Sequence, residues 1–257
     1  MNLRPAFHSV LGALALGASL FVTPVAAAEI SAGQKAEIQT IIKEYLVTNP
    51  EVLRDALNEL ERRQKADEAS AREKVISDAS GTLFNSKHQV VLGNPNGKVT
   101  LVEFFDYNCG YCKRAMEDLA KLMKEDKDLR VVLKDFPVLG PNSVEAAQIA
   151  AAARNQLKGE KYWEFHSKLL MTKGGISKTQ AVAVAQELGA NVDQLIKDAN
   201  GDDVRAGLEE TMRVADSLNL TGTPSYVVGQ DLVVGAVGFS ELKTKVDNVR
   251  KCGKAAC

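Results

Sequence analysis

The chain has 257 residues, a formal net charge of −1, 45% hydrophobic and 25% charged residues. This length can form one large or two small domains with a buried core, and the hydrophobic content excludes a wholly disordered chain. The near-neutral charge excludes broad electrostatic binding to nucleic acid, and no nucleic-acid partner is expected.

Residues 1–28 are predicted to be a cleaved secretory signal peptide. Arg4 supplies a positive start, Val10–Val22 is apolar, and Ala26–Ala28 offers an A-x-A processing site. The apolar stretch is shorter than the roughly 20 residues of a membrane-spanning helix, so an uncleaved anchor is the weaker alternative. We therefore expect export to an oxidising compartment, where disulfides form readily.

Two amphipathic helices are predicted to follow the signal peptide. Ser31 and Gln34 fit a capping box at the start of the first helix, and Pro50 suits the first position of the second. The second helix continues into Glu61–Lys74, a run of charges with nothing to bury. We expect residues 29–74 to be a helical oligomerisation extension with a charged linker; the alternative is that these helices fold back onto their own domain.

A CxxC motif after a buried strand is the most informative part of the sequence. Val99–Phe105 is β-branched and aromatic, and a short turn separates it from Cys109 and Cys112, which open a helical pattern. The free N–H groups and the dipole of a helix N-terminus favour a thiolate at Cys109. We expect an exposed, activated Cys109 and a sheltered Cys112 that closes a disulfide with it.

Structural zinc and an inert disulfide are the alternatives for this CxxC. Zinc needs about four ligands, and the other cysteines, Cys252 and Cys257, are far away in sequence. Redox chemistry is therefore favoured, and no cofactor or resident metal is expected. A local disulfide is favoured for Cys252 and Cys257 over a second redox or metal pair, and His166 is expected to pack within a helix rather than to bind a ligand.

The remaining pattern alternates strands and helices. Leu129–Phe136 is a second buried strand and forms a βαβ unit with the strand before the CxxC. Helical patterns follow as far as Leu218, and a hairpin and a closing helix end the pattern near Lys251. The predicted domains are the signal peptide at 1–28, the extension and linker at 29–74, an α/β domain at 75–251 with a helical insertion at about 141–218, and a cysteine-containing tail at 252–257.

The order of elements, the stretch Phe104–Cys112 and the later Gly222–Pro224 resemble the DsbA family of the thioredoxin superfamily. In that family a helical domain interrupts a thioredoxin fold, and the resemblance covers about Val90–Lys251. It implies protein thiol–disulfide exchange through a mixed disulfide. It also implies that Pro224, with Thr223 before it, forms a cis-proline loop that faces the CxxC.

The same resemblance gives expected roles to four further residues. Glu103 occupies the position of an acidic residue beneath the active site, and Lys134 resembles its usual partner, so a buried pair that moves protons is expected. A purely structural pair is the alternative. Gly110 and Tyr111 stand where the best-known oxidant of the family has Pro-His, and the missing histidine predicts a milder, less oxidising couple.

The N-terminal stretch Ile41–Leu53 resembles a narrower group, the ScsC-like proteins, some of which carry a helical extension that assembles trimers. This implies a homo-oligomeric disulfide isomerase or reductase in the periplasm, with a trimer as one available assembly and the oligomer number left open. It would act on secreted substrate proteins with cysteines and be maintained by a membrane redox partner. The alternatives are a monomeric dithiol oxidase, a copper(I)-binding metal-tolerance protein and a pure binding chaperone.

Overall fold

The computed structural model describes residues 30–257, so the predicted signal peptide at residues 1–28 lies outside the described residues. The chain divides into two compact units, one ending at Glu59 and the other running from Leu60 to Cys257. A helix long and apolar enough to cross a membrane does not occur within residues 30–257.

The N-terminal helices are α1 (Ala32–Thr48) and α2 (Pro50–Asp78). The Ser31 hydroxyl accepts a hydrogen bond from the Gln34 N–H at 3.3 Å, and the Gln34 side chain accepts one from the Ser31 N–H at 2.9 Å, which confirms the predicted capping box. No residue of α1 is buried. The apolar side chains along this helix therefore remain exposed within this unit.

A five-stranded sheet with the order β1-β3-β2-β4-β5 forms the centre of the second unit. β2 and β3 are parallel, and every other neighbouring pair is antiparallel. The strands are β1 (Val90–Gly93), β2 (Val99–Phe105), β3 (Leu129–Asp135), β4 (Ser225–Val228) and β5 (Asp231–Val234). The helices are α3 (Ser80–Asn85), α4 (Gly110–Glu125), α5 (Pro141–Ala153), α6 (Glu160–Met171), α7 (Lys178–Glu187), α8 (Val192–Ala199), α9 (Asp202–Ser217) and α10 (Phe239–Cys252).

Both faces of the sheet are covered, which explains why β2 is apolar at nearly every position. Leu101 and Phe105 share a core cluster with Leu119 of α4. Val102 and Phe104 alternate with them and belong to a second cluster on the opposite face, with residues of α3 and α9. Because only residues 106–109 separate β2 from α4, the end of this doubly buried strand positions the CxxC.

Five helices, α5 to α9, lie between β3 and β4 in the chain, and the predicted α/β fold with a helical insertion and an N-terminal helical extension is confirmed. Two details differ from prediction. The short helix α3 was not predicted. Its N-cap residue is Ala79, whose side chain cannot accept a capping hydrogen bond, so the sequence has no capping residue to mark the start of this helix. The sequence predicts the second hairpin strand over Leu232–Val237, but β5 ends at Val234, because Gly235 takes a positive φ of 91° and donates its N–H to the Pro224 carbonyl.

Candidate active site

Cys109 is the N-cap residue of α4, as the sequence predicts. Its N–H donates to the Asp106 carbonyl at 3.0 Å, and its own carbonyl accepts from the Lys113 N–H at 3.1 Å. The expectation of an exposed Cys109 is wrong, because this residue is 6% exposed; Cys112, at 1%, is sheltered as expected. Both cysteines are free thiols.

The loop that covers Cys109 contains a cis peptide bond between Thr223 and Pro224, which confirms the expected cis-proline. The Cys109 thiol donates to the Thr223 carbonyl at 3.1 Å. The Ser225 hydroxyl donates to the Gly222 carbonyl at 2.8 Å and fixes the loop from its other side. Extended backbone that lay alongside this loop would therefore be close to Cys109.

Glu103, Cys112 and Tyr226 form a buried group beneath the cis-proline loop. Glu103 and Tyr226 lie opposite each other in the β2–β4 pairing. Burial raises the pKa of Glu103 to about 8, and the Tyr226 hydroxyl, which lowers that pKa, offsets burial only in part. Burial also raises the pKa of Cys112, and the negative charge of Glu103 raises it further. When Glu103 is ionised, its carboxylate is therefore a buried base that could receive a proton from Cys112.

Lys134 is not the partner of Glu103, so the expected pair is wrong. The β2–β3 register places Glu103 opposite Leu133, and Lys134 therefore points to the other face of the sheet. Its ammonium donates to the Thr82 carbonyl at 2.5 Å and lies 3.8 Å from a Glu210 carboxylate oxygen. Burial lowers the pKa of Lys134 to about 8, and Glu210 opposes that shift. This lysine ties α3 and α9 to the sheet, away from the thiols.

Gly110 and Tyr111 occupy the two positions between the cysteines. A side-chain carbon at Gly110 would meet no atom within 4 Å, so the site has room for a larger residue there. Tyr111 is 60% exposed, and the Arg114 guanidinium lies 4.3 Å from the centre of its ring. The phenol ring of Tyr111 therefore points outward. Neither residue between the cysteines is a histidine.

Asp106 and Tyr226 were not identified from the sequence, although both lie close to the cysteines of the CxxC. The Asp106 backbone lies beside both cysteines, because its carbonyl accepts the Cys109 N–H and a separate backbone hydrogen bond from Asp106 lowers the pKa of the Cys112 thiol. Asp106 is the first residue after the buried strand β2, and this position could have identified it from the sequence. Tyr226 has no such signal, because only the β2–β4 register brings it to Glu103.

The predictions for the other cysteines and for His166 are confirmed. Cys252 and Cys257 form a disulfide at the end of α10. His166 is buried, and its Nδ1 lies 3.2 Å from the Tyr107 hydroxyl. Burial lowers the pKa of His166 to about 3, so this ring is a neutral packing residue. Within residues 30–257, groups of three or more His, Cys, Asp or Glu side chains that could hold a metal ion are absent.

Comparison with known families supports the chemistry that this geometry suggests. Residues 100–247, more than half of the chain, match the model of the DSBA-like thioredoxin domain. The chain belongs to this family. DsbA-like proteins are thiol–disulfide oxidoreductases, and residues 34–67 match a second model, the copper resistance protein ScsC N-terminal domain.

Two solved structures and one curated relative show which proteins this chain is similar to. A thioredoxin-like oxidoreductase from Silicibacter pomeroyi is 42% identical, covering 67% of this chain and 98% of that one, with a TM-score of 0.63. Proteus mirabilis ScsC in a transitional conformation is 27% identical, covering 85% and 97%, with a TM-score of 0.62. Disulfide bond formation protein D of Bacillus subtilis is 24% identical over 195 residues, which are 68% of this chain and 83% of that protein.

The match to another group of curated relatives is partial. The chain spans 24% of the length of the Na(+)/H(+) antiporter NhaA 1 of Salinispora arenicola, at 27% identity over 161 residues. An activity of that whole protein therefore does not transfer to this chain.

Proposed function

We propose that this DsbA-like oxidoreductase is a periplasmic protein disulfide isomerase or reductase. The observation that carries the proposal is the Cys109 thiol at the N-terminus of α4, held 3.1 Å from the Thr223 carbonyl of the cis-proline loop. This arrangement supports a nucleophilic thiol beside a strip of backbone on which a substrate strand can lie.

The proposed reaction uses both thiols. The Cys109 thiolate attacks one sulfur of a substrate disulfide, so that a Cys109–substrate disulfide forms and the other substrate sulfur leaves as a thiolate. Cys112 then loses its proton to the ionised Glu103 carboxylate and attacks the Cys109 sulfur, which breaks the bond between Cys109 and the substrate. The substrate leaves as a dithiol, and the two electrons that it gains come from the Cys109 and Cys112 thiols, which are oxidised to a disulfide. An isomerase cycle ends earlier, when a different substrate thiolate attacks the substrate sulfur of the mixed disulfide, forms a new substrate disulfide and releases Cys109 as a thiolate.

The residues between the cysteines support the reducing direction over the oxidising one. Tyr111 carries no charge that would stabilise a Cys109 thiolate, whereas a histidine at this position would. We expect a reduction potential more negative than the roughly −120 mV of the strong oxidant DsbA. The test is equilibration of the purified protein with glutathione buffers, together with recovery of activity from a substrate with scrambled disulfides. A potential at or above that of DsbA, with no recovery of scrambled substrate, contradicts the proposed direction.

Export to the periplasm is supported by the predicted signal peptide and by the Cys252–Cys257 disulfide, because disulfides persist in oxidising compartments. In the periplasm the chain would act on secreted proteins with cysteines. A reductase or isomerase also needs a source of electrons, so a membrane redox partner belongs to the proposal.

The N-terminal helices are proposed to assemble several copies of the chain, with a trimer as the expected state. Apolar side chains on α1 and α2 are strongly exposed, including Ile41 at 58% and Leu57 at 65%. Burying such side chains stabilises an assembly by roughly 1.5–3 kcal/mol each. The match of residues 34–67 to the ScsC N-terminal domain supports the same role. Several active sites in one particle would suit a misfolded substrate with more than one wrong disulfide.

Replacing Ile41 with glutamate is expected to convert the assembly into monomers, because the variant places a charge on the proposed contact face. The measurement is the molar mass by light scattering, combined with reduction of a small disulfide peptide, which should remain unchanged. Gln39→Glu is the matched control, because it adds the same charge on the opposite side of the same helix. An Ile41→Glu protein with the mass of the unaltered chain would refute assembly through this face.

A further inference from the structure

We propose that Asn108 and Ser143 are positioning residues that hold Cys109 against the cis-proline loop. They belong to a hydrogen-bonded clamp, formed by Asp106, Asn108, Ser143 and Ile176, that joins the CxxC loop to the helical insertion. This role rests on the proposed exchange chemistry of Cys109. Ser143 and Ile176 lie 35 and 68 positions after Asn108 in the chain.

The Asp106 carboxylate is the centre of the clamp, and it is buried at 2% exposure. Its Oδ1 accepts from the Asn108 N–H and the Ser143 hydroxyl, both at 2.8 Å. Its Oδ2 accepts from the N–H groups of Val138 and Leu139 at 2.9 and 3.0 Å. Four donors match a carboxylate that only accepts, so this one side chain ties three segments of the chain together.

The Asn108 side chain makes the second set of bonds. Its Nδ2 donates to the Ser143 hydroxyl at 3.1 Å and to the Ile176 carbonyl at 2.8 Å. Its Oδ1 accepts from the Ile176 N–H at 2.7 Å. The amide thus pairs with both backbone groups of one residue, as a neighbouring strand would, and this two-point contact fixes the orientation of Asn108.

Lys113 attaches the same part of the insertion on the far side of the cysteines. Its ammonium donates to the carbonyls of Thr172 and Gly174 at 3.0 and 3.3 Å. The loop between α6 and α7 is therefore bonded both before Cys109 and after Cys112. The helical insertion holds the CxxC segment at its two ends.

The clamp favours the dithiol form of the CxxC. Asn108 directly precedes Cys109, so a fixed Asn108 also fixes the direction of the Cys109 side chain. The Cys109 thiol donates to the Thr223 carbonyl, and a disulfide sulfur has no proton to donate in this way. Only the reduced protein gains from this contact. Loosening the clamp should therefore shift the equilibrium with glutathione towards the Cys109–Cys112 disulfide.

The test measures this equilibrium in the full chain for Asn108→Ala and Ser143→Ala. The fraction of disulfide is read by mass from the peptide that carries Cys109 and Cys112, after thiol alkylation at a series of glutathione ratios. We expect each variant to favour the disulfide about threefold to tenfold more than the unaltered protein. If Asn108→Ala does not fold, Ser143→Ala decides the result alone, because it removes two clamp bonds without altering the CxxC loop.

Asn191→Ala is the matched control in the same helical insertion. Asn191 caps α8 by accepting the Gln194 N–H at 2.9 Å, and its bonds do not reach the CxxC loop. It should destabilise the protein to chemical denaturation and leave the glutathione equilibrium within twofold. The inference is overturned if the clamp variants also stay within twofold, or if the control shifts the equilibrium as far as they do. If the unaltered protein forms no Cys109–Cys112 disulfide, the proposed function itself fails.

Discussion

Replacing Cys109 with serine is expected to slow disulfide exchange with a protein substrate by at least about a thousandfold. A hydroxyl group is a far weaker nucleophile than a thiolate, and loss of the nucleophile removes the whole covalent route. Cys112 cannot substitute for it, because Cys112 is 1% exposed and burial raises its pKa. The measurement is the rate at which the reduced protein opens the disulfide of a peptide substrate.

Cys112→Ser should have a different outcome, namely the accumulation of a mixed disulfide. Cys109 keeps its place at the N-terminus of α4 and attacks the substrate, but no second thiol is present to resolve the product. Mass spectrometry after acid quenching should find the substrate attached to Cys109. If this variant releases substrate as fast as the unaltered chain, Cys112 is not the resolving thiol.

The pair Cys252→Ser with Cys257→Ser is the control for both experiments. The tail lies near the C-terminal end of α4, because Arg250 pairs with Asp126 at 2.5 Å. The 16 residues of α4 span about 24 Å, so the tail disulfide is remote from Cys109 in the same chain. We expect exchange rates within twofold of the unaltered protein. A large loss in this control would assign part of the chemistry to the tail.

The sequence predicted those parts of the fold and site that depend on neighbouring residues. The Ser31–Gln34 capping box, the β2 strand and the placement of Cys109 at a helix start all follow from patterns within a few positions. The cis-proline at Pro224 followed from a family resemblance rather than from a local pattern. In each case either a short motif or a known family contained the necessary information.

The parts that could not be predicted depend on register and on contacts between distant segments. Glu103 and Lys134 both stand in apolar strands, and only the β2–β3 register shows that they face opposite sides of the sheet. Ser143 lies 37 positions after Asp106, and no sequence pattern links them. Burial of Cys109 likewise depends on the cis-proline loop, whose Thr223 lies more than a hundred residues further along the chain.

Replacing Glu103 with glutamine is expected to change how stability depends on pH. The pKa of Glu103 is about 8 in the folded protein, against an ordinary value of 4.5. Between these values the folded state keeps a proton that the unfolded state has lost, so the free energy of unfolding falls as the pH rises. From about pH 5 to about pH 8 this loss is on the order of 3 kcal/mol. Denaturant titrations should show Glu103→Gln gaining that amount relative to the unaltered protein.

The same substitution is expected to slow resolution of the mixed disulfide by about tenfold to a hundredfold, because glutamine cannot receive the proton that Cys112 must release. Because Glu103 keeps its own proton below its pKa of about 8, the loss should be smallest below that pH and should grow above it, where the carboxylate can act as the base. Removing the Glu103 charge also lowers the pKa of Cys112, which offsets part of the loss above pH 8. Asp135→Asn is the matched control: burial raises the pKa of this carboxyl to about 7, and it lies at the end of β3. The control should alter the pH dependence of stability but not the rate of resolution. Equal rates of resolution in Glu103→Gln and the unaltered chain would show that Glu103 is a buried structural acid and that water accepts the proton.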